Sequence, residues 1–115
     1  MIPLHLPAGA RIHGGLYRPN APIDVLEDEM LQVHFGPNTI EVGWFPEHDP
    51  NGQYRVRRYR ERWDDCKDFF ETKDPNEVSE YIREKVTGFM AGNAAIGADS
   101  WTAPISHSFA LSAAI

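Results

Sequence analysis

A run of alternating apolar and polar residues between positions 31 and 60 constrains the fold more than any other feature of the sequence. Leu31, Val33 and Phe35 alternate with polar residues, which is the period-two pattern of a half-buried β-strand. Two segments with the composition of tight turns, Gly36-Pro37-Asn38-Thr39 and Asp49-Pro50-Asn51-Gly52, divide the run. The pattern therefore predicts three consecutive antiparallel strands, over residues 31–35, 40–45 and 53 to about 60.

An amphipathic helix is predicted over residues 75–91. Asp74-Pro75-Asn76-Glu77 begins it, because aspartate is a good N-cap, proline is favoured at the first helical position and glutamate complements the helix dipole. Its apolar stripe consists of Val78, Tyr81, Ile82, Val86, Phe89 and Met90. Residues 68–72 are a candidate fourth strand. The predicted fold class is α+β: a three- to four-stranded antiparallel meander with this helix, in the C-terminal half, packed on one face.

The chain of 115 residues has the length of one domain, and segments of different composition flank its centre. Residues 1–23 contain four prolines, which favour irregular extended backbone, so we predict an irregular arm there. Residues 24–91 are predicted to form the α+β core domain. Residues 92–115 are rich in alanine, serine and glycine, with isolated large apolar residues. We expect a tail whose hydrophobic anchors dock on the chain itself, on a second copy or on a partner.

Charge and cysteine content limit the classes of function. The formal net charge is −6, which argues against bulk attraction to nucleic-acid backbones or anionic membranes. Cys66 is the only cysteine, so an internal disulfide is excluded and a reducing compartment is favoured. Neither a signal peptide nor an apolar run of membrane-spanning length is visible. We therefore expect a soluble, cytoplasmic protein with no membrane contact.

No catalytic or metal-binding motif stands out in the sequence. Glu47, His48 and Asp49 are adjacent in one predicted turn, where neighbouring side chains rarely converge on one ion, so no metal site is predicted. Phosphate-binding glycine loops and the common hydrolase motifs do not occur. We predict a protein that is not an enzyme and that needs no cofactor.

The predicted turns place a row of polar side chains across the sheet face that points away from the helix. In the predicted register Glu41 lies between His34 and Arg57, and Gly43 lies beside Arg55. Such a row could form a small anion or acid–base site, with Gly43 leaving a depression for a ligand or a partner side chain. The alternative is an exposed lattice of charges that contributes little energy.

Five arginines lie within eight positions at the third strand and its end: Arg55, Arg57, Arg58, Arg60 and Arg62. They are interleaved with aromatic residues, a composition found on surfaces that bind single-stranded nucleic acid. Acidic residues follow at once, and a charge-balanced sheet edge is the alternative interpretation. The alternation is lost at Arg58 and Tyr59, which predicts a β-bulge or the end of the strand near Arg58.

Acidic residues form two clusters along the chain. The first contains Asp24, Glu27, Asp28 and Glu29, and the second contains Asp64, Asp65, Asp68, Glu71 and Asp74. Acidic surfaces on small rigid domains steer association with basic partners, and the alternative is that these clusters only keep the protein soluble. The predicted partner-binding residues, taken from the second cluster and the polar row, are Asp64, Asp65, Asp68, Glu71, His34, Glu41, Arg55 and Arg57.

These features predict a small acidic, non-enzymatic protein that occupies or inhibits a macromolecular partner. The expected partner is a protein with a basic surface, as for immunity proteins, antitoxins and phage-encoded inhibitors. Two alternatives stay open. One is a nucleic-acid-binding module that uses the arginine-rich strand, and the other is a homo-oligomeric assembly component that uses its apolar tails.

Overall fold

A computed structural model of the chain describes residues 1–91, which form a five-stranded antiparallel sheet and one α-helix. In chain order the elements are β1 (Arg11–Gly14), β2 (Leu31–Phe35), β3 (Asn38–Phe45), β4 (Gln53–Arg60), β5 (Arg62–Thr72) and α1 (Pro75–Ala91), with a short 3-10 turn at Ile23–Val25. The predicted α+β class and antiparallel sheet are confirmed. The predicted tail, residues 92–115, lies outside the described residues.

The predicted strand number, three to four, is wrong, because the described residues contain five strands. The additional strand, β1, comes from the proline-rich arm, where residues 11–14 contain no proline and pair with β2. The candidate fourth strand over residues 68–72 is longer than predicted, because residues 62–67 also belong to β5. The strands form a simple meander in the order β1-β2-β3-β4-β5, so β1 and β5 are its edges.

The register between β2 and β3 differs by two residues from the predicted one. Phe35 pairs with Asn38, so only Gly36 and Pro37 connect the strands, and β3 begins at Asn38. Gly36 has a φ of 58°, as the first central position of a two-residue hairpin turn requires. A shift of two residues keeps every side chain on its predicted face but changes its cross-strand neighbour.

The inner face of the sheet, which faces α1, forms the hydrophobic core together with the N-terminal segment. The residues of β3 and β4 predicted to point inward are all fully buried: Ile40, Val42, Trp44, Tyr54 and Val56. Leu4, Leu16 and Leu26 belong to the same buried cluster. Burying one side chain of this size contributes roughly 1.5–3 kcal/mol, so the cluster is a major source of stability.

Helix α1 has the predicted bounds and nearly the predicted buried stripe. Asp74 Oδ1 accepts a hydrogen bond from Asn76 N at 2.9 Å, and Thr72 Oγ1 accepts one from Asp74 N at 3.1 Å, which together cap the N-terminus. The predicted stripe residues are buried except Met90, which is 48% exposed. Lys85 is buried on this helix instead, and its partners are described below.

The bulge predicted near Arg58 is confirmed at the junction of β4 and β5. Register shifts occur on either side of Tyr59, and the pairs Tyr59–Cys66 and Arg60–Arg62 leave residues 63–65 without an opposite residue on β4. Trp63, whose large apolar ring favours burial, is nevertheless 80% exposed in this bulged segment. The bulge therefore turns the first half of β5 away from the core.

Candidate functional site

The sheet face opposite α1, which we call the outer face, carries side chains from all five strands. Alternation and register assign to it Arg11, His13, Gln32, His34, Thr39, Glu41, Gly43, Phe45, Gln53, Arg55, Arg57, Tyr59, Cys66, Phe69 and Glu71. Phe45 and Phe69 are 46% and 45% exposed. The described part of the chain thus leaves two large aromatic side chains of this face open to solvent.

Each of these phenylalanines lies beneath an arginine of β4. The guanidinium carbon of Arg55 is 3.7 Å from the ring centroid of Phe45, and that of Arg57 is 5.6 Å from the centroid of Phe69. Cation–π contacts of this kind contribute about 0.5–1 kcal/mol at exposed sites. They hold the guanidinium groups of the two arginines over the rings.

The same two arginines also have carboxylate partners on the outer face. Arg55 Nε lies 2.7 Å from Glu71 Oε2, and Arg57 Nη1 lies 4.0 Å from Glu41 Oε1. The pKa of Arg57 is raised, first by its hydrogen bond to Tyr59 and also by the nearby Glu41. The positive charge of the arginine pair is therefore compensated within the face.

The structure does not bring His34 beside Glu41, so this part of the predicted polar row is wrong. Glu41 lies between Gln32 and Arg57, and Gln32 Nε2 donates to Glu41 Oε2 at 3.2 Å. His34 pairs with Thr39, whose Oγ1 is 3.1 Å from His34 Nδ1. The two-residue turn explains the difference, since it moves every cross-strand partner of β2 by two positions.

His34 instead belongs to a cationic corner formed by β1 and β2. Its ring lies edge-on to that of His13, with centroids 5.5 Å apart, and Arg11 pairs with His34 across the strands. The pKa of His34 is lowered by burial, and the positive charge of Arg11 adds to that effect. The permanent positive charge of this corner is that of Arg11.

The chain's own backbone occupies most of the depression expected above Gly43, and only a small depression remains there. A Cβ atom at position 43 would overlap the carbonyl oxygen of Asp28 and lie 3.0 Å from its carbonyl carbon. The segment before β2 is fixed there, because Trp44 N donates to Glu27 O at 2.8 Å and Met30 N donates to Val42 O at 3.0 Å. Glycine is thus required at this position by an internal contact.

An open acidic depression lies beside this contact, at one end of the outer face. It is lined by Glu27, Asp28, Glu29 and Glu47. Asp28 N donates a hydrogen bond to Glu47 Oε2 at 2.9 Å, which joins the two loops. Asp28 also lines a smaller depression with Glu41, Gly43, Arg55 and Arg57, so the acidic depression is continuous with the outer face.

Glu47 was not part of either predicted acidic cluster. The loop after β3 brings it to residues 27–29, and His48 N donates to Leu26 O at 2.7 Å in the same contact. The only signal in the sequence was the acidic character of both loops. Their proximity depends on long-range pairing that no local pattern encodes.

The second predicted acidic cluster does not form one surface. Asp64 is paired with Arg62 at 2.5 Å, and Asp65 with Lys67 at 3.3 Å, in the exposed bulged segment. Glu71 lies on the outer face beside Arg55. Asp68 points inward, with a side chain that is only 11% exposed.

Asp68 is the centre of a buried polar cluster that the sequence patterns did not indicate. Its Oδ2 lies 2.8 Å from Arg58 Nε and 3.8 Å from Lys85 Nζ, and it accepts a hydrogen bond from the Tyr81 hydroxyl at 2.7 Å. Burial, and secondarily the charge of Arg58, lowers the pKa of Lys85 to about 8. Burial also raises the pKa of Tyr81 well above its usual value. The cluster ties α1 to β4 and β5.

Comparison with protein-family models, curated proteins and solved structures gives no match to this chain. None of the helices in residues 1–91 is long and apolar enough to cross a lipid bilayer. The same residues contain no group of three or more histidine, cysteine or acidic side chains arranged to hold a metal ion. Inference about function therefore starts from the outer face and the acidic depression.

Proposed function

We propose that this chain is a non-enzymatic binding protein that occupies a protein partner through the outer face of its sheet. The observation that carries the proposal is the pair Phe45 and Phe69, which are 46% and 45% exposed on a sheet face that the described chain leaves open. Each ring lies under an arginine of β4, and aromatic residues together with arginine are the residue types enriched at protein interfaces. Binding that masks the partner's own surface would make the chain an inhibitor, in the manner of an immunity protein or antitoxin.

The residue types on the outer face support a protein partner. Aromatic residues and arginine are enriched at the centres of protein interfaces and dominate their binding energy. The stacked pairs Arg55–Phe45 and Arg57–Phe69 present both types on rigid strands. Because these side chains are already ordered, a partner would meet a low entropic cost on binding.

The charge of the outer face weighs against a nucleic-acid partner. Phosphate binding would have to separate Arg55 from Glu71 and Arg57 from Glu41. The formal net charge of −6 also opposes the non-specific electrostatic attraction that supports most nucleic-acid binding. The exposed thiol of Cys66, the only cysteine, suits a reducing compartment, and we place the interaction in the cytoplasm.

Cys66 offers a direct test, because register places it at the β5 border of the outer face. The purified chain would be labelled there with a benzophenone maleimide, incubated in lysate and photo-crosslinked. We expect one dominant protein adduct, to be identified by mass spectrometry and then purified for titration. Capture of single-stranded RNA or DNA, with no protein adduct, would favour the arginine-rich strand as a nucleic-acid site and overturn the proposal.

Matched variants show whether the outer face is the binding surface. In titrations with the identified partner, Phe45→Ser with Phe69→Ser should weaken binding by about a hundredfold, since two interface aromatics are removed. The control is Ile23→Ser with Met90→Ser, which removes two apolar side chains of similar exposure, 52% and 48%, from outside the strands of the sheet. Equal affinities for the two double variants would place the site elsewhere.

A further inference from the structure

We infer that the partner is a basic protein, oriented so that its lysines or arginines lie over the acidic depression while its apolar residues cover Phe45 and Phe69. This inference rests on the proposed function and adds the chemistry and orientation of the partner. Its basis is charge complementarity at one end of the outer face.

The four carboxylates of the depression are not paired with cations within residues 1–91. Glu27, Asp28, Glu29 and Glu47 are all exposed, and none of them forms an ion pair with a lysine or arginine there. Arg55 and Arg57 of the outer face, in contrast, each have a carboxylate partner. The uncompensated charge at this end of the face is therefore negative, which favours a cationic group on whatever molecule covers it.

The depression is also held in place before any partner arrives. We call residues 27–29 the acidic loop. Hydrogen bonds from Trp44 N to Glu27 O and from Asp28 N to Glu47 Oε2 fix this loop against β3 and the loop after β3. Because their backbone is fixed, these carboxylates favour a partner with one particular arrangement of positive charges. Carboxylates on a mobile loop would bind many different arrangements.

The position of the depression gives the binding orientation. Asp28 borders both the acidic depression and the smaller depression beside Arg55 and Arg57. Arg11, which carries the positive charge of the corner formed by β1 and β2, lies on the far side of the face, beyond Glu41. A basic surface is thus attracted to one end of the face and repelled from the other, so a single orientation is favoured.

The test uses a random 12-residue peptide library displayed on phage and selected on the immobilised full-length chain. We expect enriched peptides to combine lysine or arginine with aromatic residues. Synthetic copies would be titrated by fluorescence anisotropy against Glu27→Lys with Glu29→Lys. The control, Glu80→Lys with Glu84→Lys, makes the same change in net charge at two exposed positions of α1.

Affinity should fall by at least about tenfold for the depression variant and by less than about twofold for the helix variant, because close charges act more strongly than screened distant ones. Two results would overturn the inference without affecting the proposed function: enriched peptides that lack basic residues, or equal losses of affinity for the depression variant and the helix variant. In both cases Phe45→Ser with Phe69→Ser must still abolish peptide binding. Failure to enrich any peptide sensitive to that double variant would count against the proposed function and the inference with it. Self-association of the wild type that the double variant abolishes would identify a second copy as the occupant and overturn the basic partner.

Discussion

At the scale of residues, the burial of Asp68 distinguishes this carboxylate, which has a structural role, from the carboxylates on the surface. Its carboxylate faces Arg58, which is fully buried, and Tyr81 and Lys85 complete its surroundings. Taking such charges out of water is costly, and only their mutual attraction and hydrogen bonding offset the penalty. A carboxylate used in this way is not available to a partner, although its neighbours Asp64 and Asp65 are exposed.

Replacing Asp68 therefore tests its structural role. Asp68→Asn keeps the shape but removes the negative charge, and it leaves Arg58 and Lys85 buried together. We expect a loss of about 3–5 kcal/mol in the free energy of unfolding, measured by urea denaturation. Asp65→Asn, whose carboxylate lies in an exposed pair with Lys67, should change it by no more than about 0.5 kcal/mol. Similar effects of the two substitutions would show that the buried cluster does not stabilise the fold.

The pKa of Lys85 gives a second prediction, for the dependence of stability on pH. The ordinary lysine pKa of 10.5 falls to about 8 in the folded state, so the unfolded chain binds more protons between these values. The free energy of unfolding should therefore rise with pH above about 8, with a slope of at most about 1.4 kcal/mol per pH unit. Above pH 10 the raised pKa values of Tyr81 and Tyr54 reverse the trend, since only the unfolded tyrosines ionise.

The control for this pH dependence is Lys85→Met, which has a similar length and no titrating group. Urea denaturation of both proteins at pH 7.5, 8.5 and 9.5 should give a rising difference in stability in favour of the wild type. Parallel pH profiles would contradict a lowered pKa at Lys85.

At the scale of elements, the acidic loop can contact β3 only because residue 43 is a glycine and has no Cβ atom. Gly43→Ala places a Cβ against the Asp28 carbonyl group, which belongs to backbone and cannot rotate away. We expect a loss of about 1–3 kcal/mol in urea denaturation and reduced binding of basic peptides, because the acidic loop must shift. Gly88→Ala is the control, since its Cβ meets nothing within 4 Å and it lies in α1. It should stabilise by up to about 1 kcal/mol.

The elements also show which parts of the fold are encoded locally. The bounds of α1 followed from Asp74, Pro75 and the spacing of apolar residues, all of which act within a few turns of helix. The register of β2 and β3 did not follow, because a two-residue and a four-residue connection both suit Gly36 and Pro37. The burial of Arg58 could not be predicted from the sequence, because arginine is usually exposed. Its buried environment is formed by Asp68 of β5 and Lys85 of α1. Likewise, Glu47 reaches the acidic depression only through tertiary contacts.

At the scale of the whole molecule, the N-terminal segment and the sheet share one core. Leu16 is fully buried in the same cluster as the residues of β2, β3 and α1. The Tyr54 hydroxyl donates a hydrogen bond to Tyr17 O, and Ile2 N donates one to Leu16 O at 2.8 Å. A segment attached in this way should unfold together with the sheet and not before it.

Substitution of Leu16 tests this cooperative behaviour. Leu16→Ala should lower the free energy of unfolding by about 2–5 kcal/mol, the range expected for a cavity in a close-packed core. Ile12→Ala is the control, because Ile12 on β1 is 46% exposed and should contribute less than about 1 kcal/mol. Far-UV circular dichroism and tryptophan fluorescence should give coincident transitions in both proteins, since Trp44 is buried in the common core. An early transition for Leu16→Ala, seen by one probe alone, would mean that the N-terminal segment unfolds separately and that the outer face belongs to a smaller folding unit.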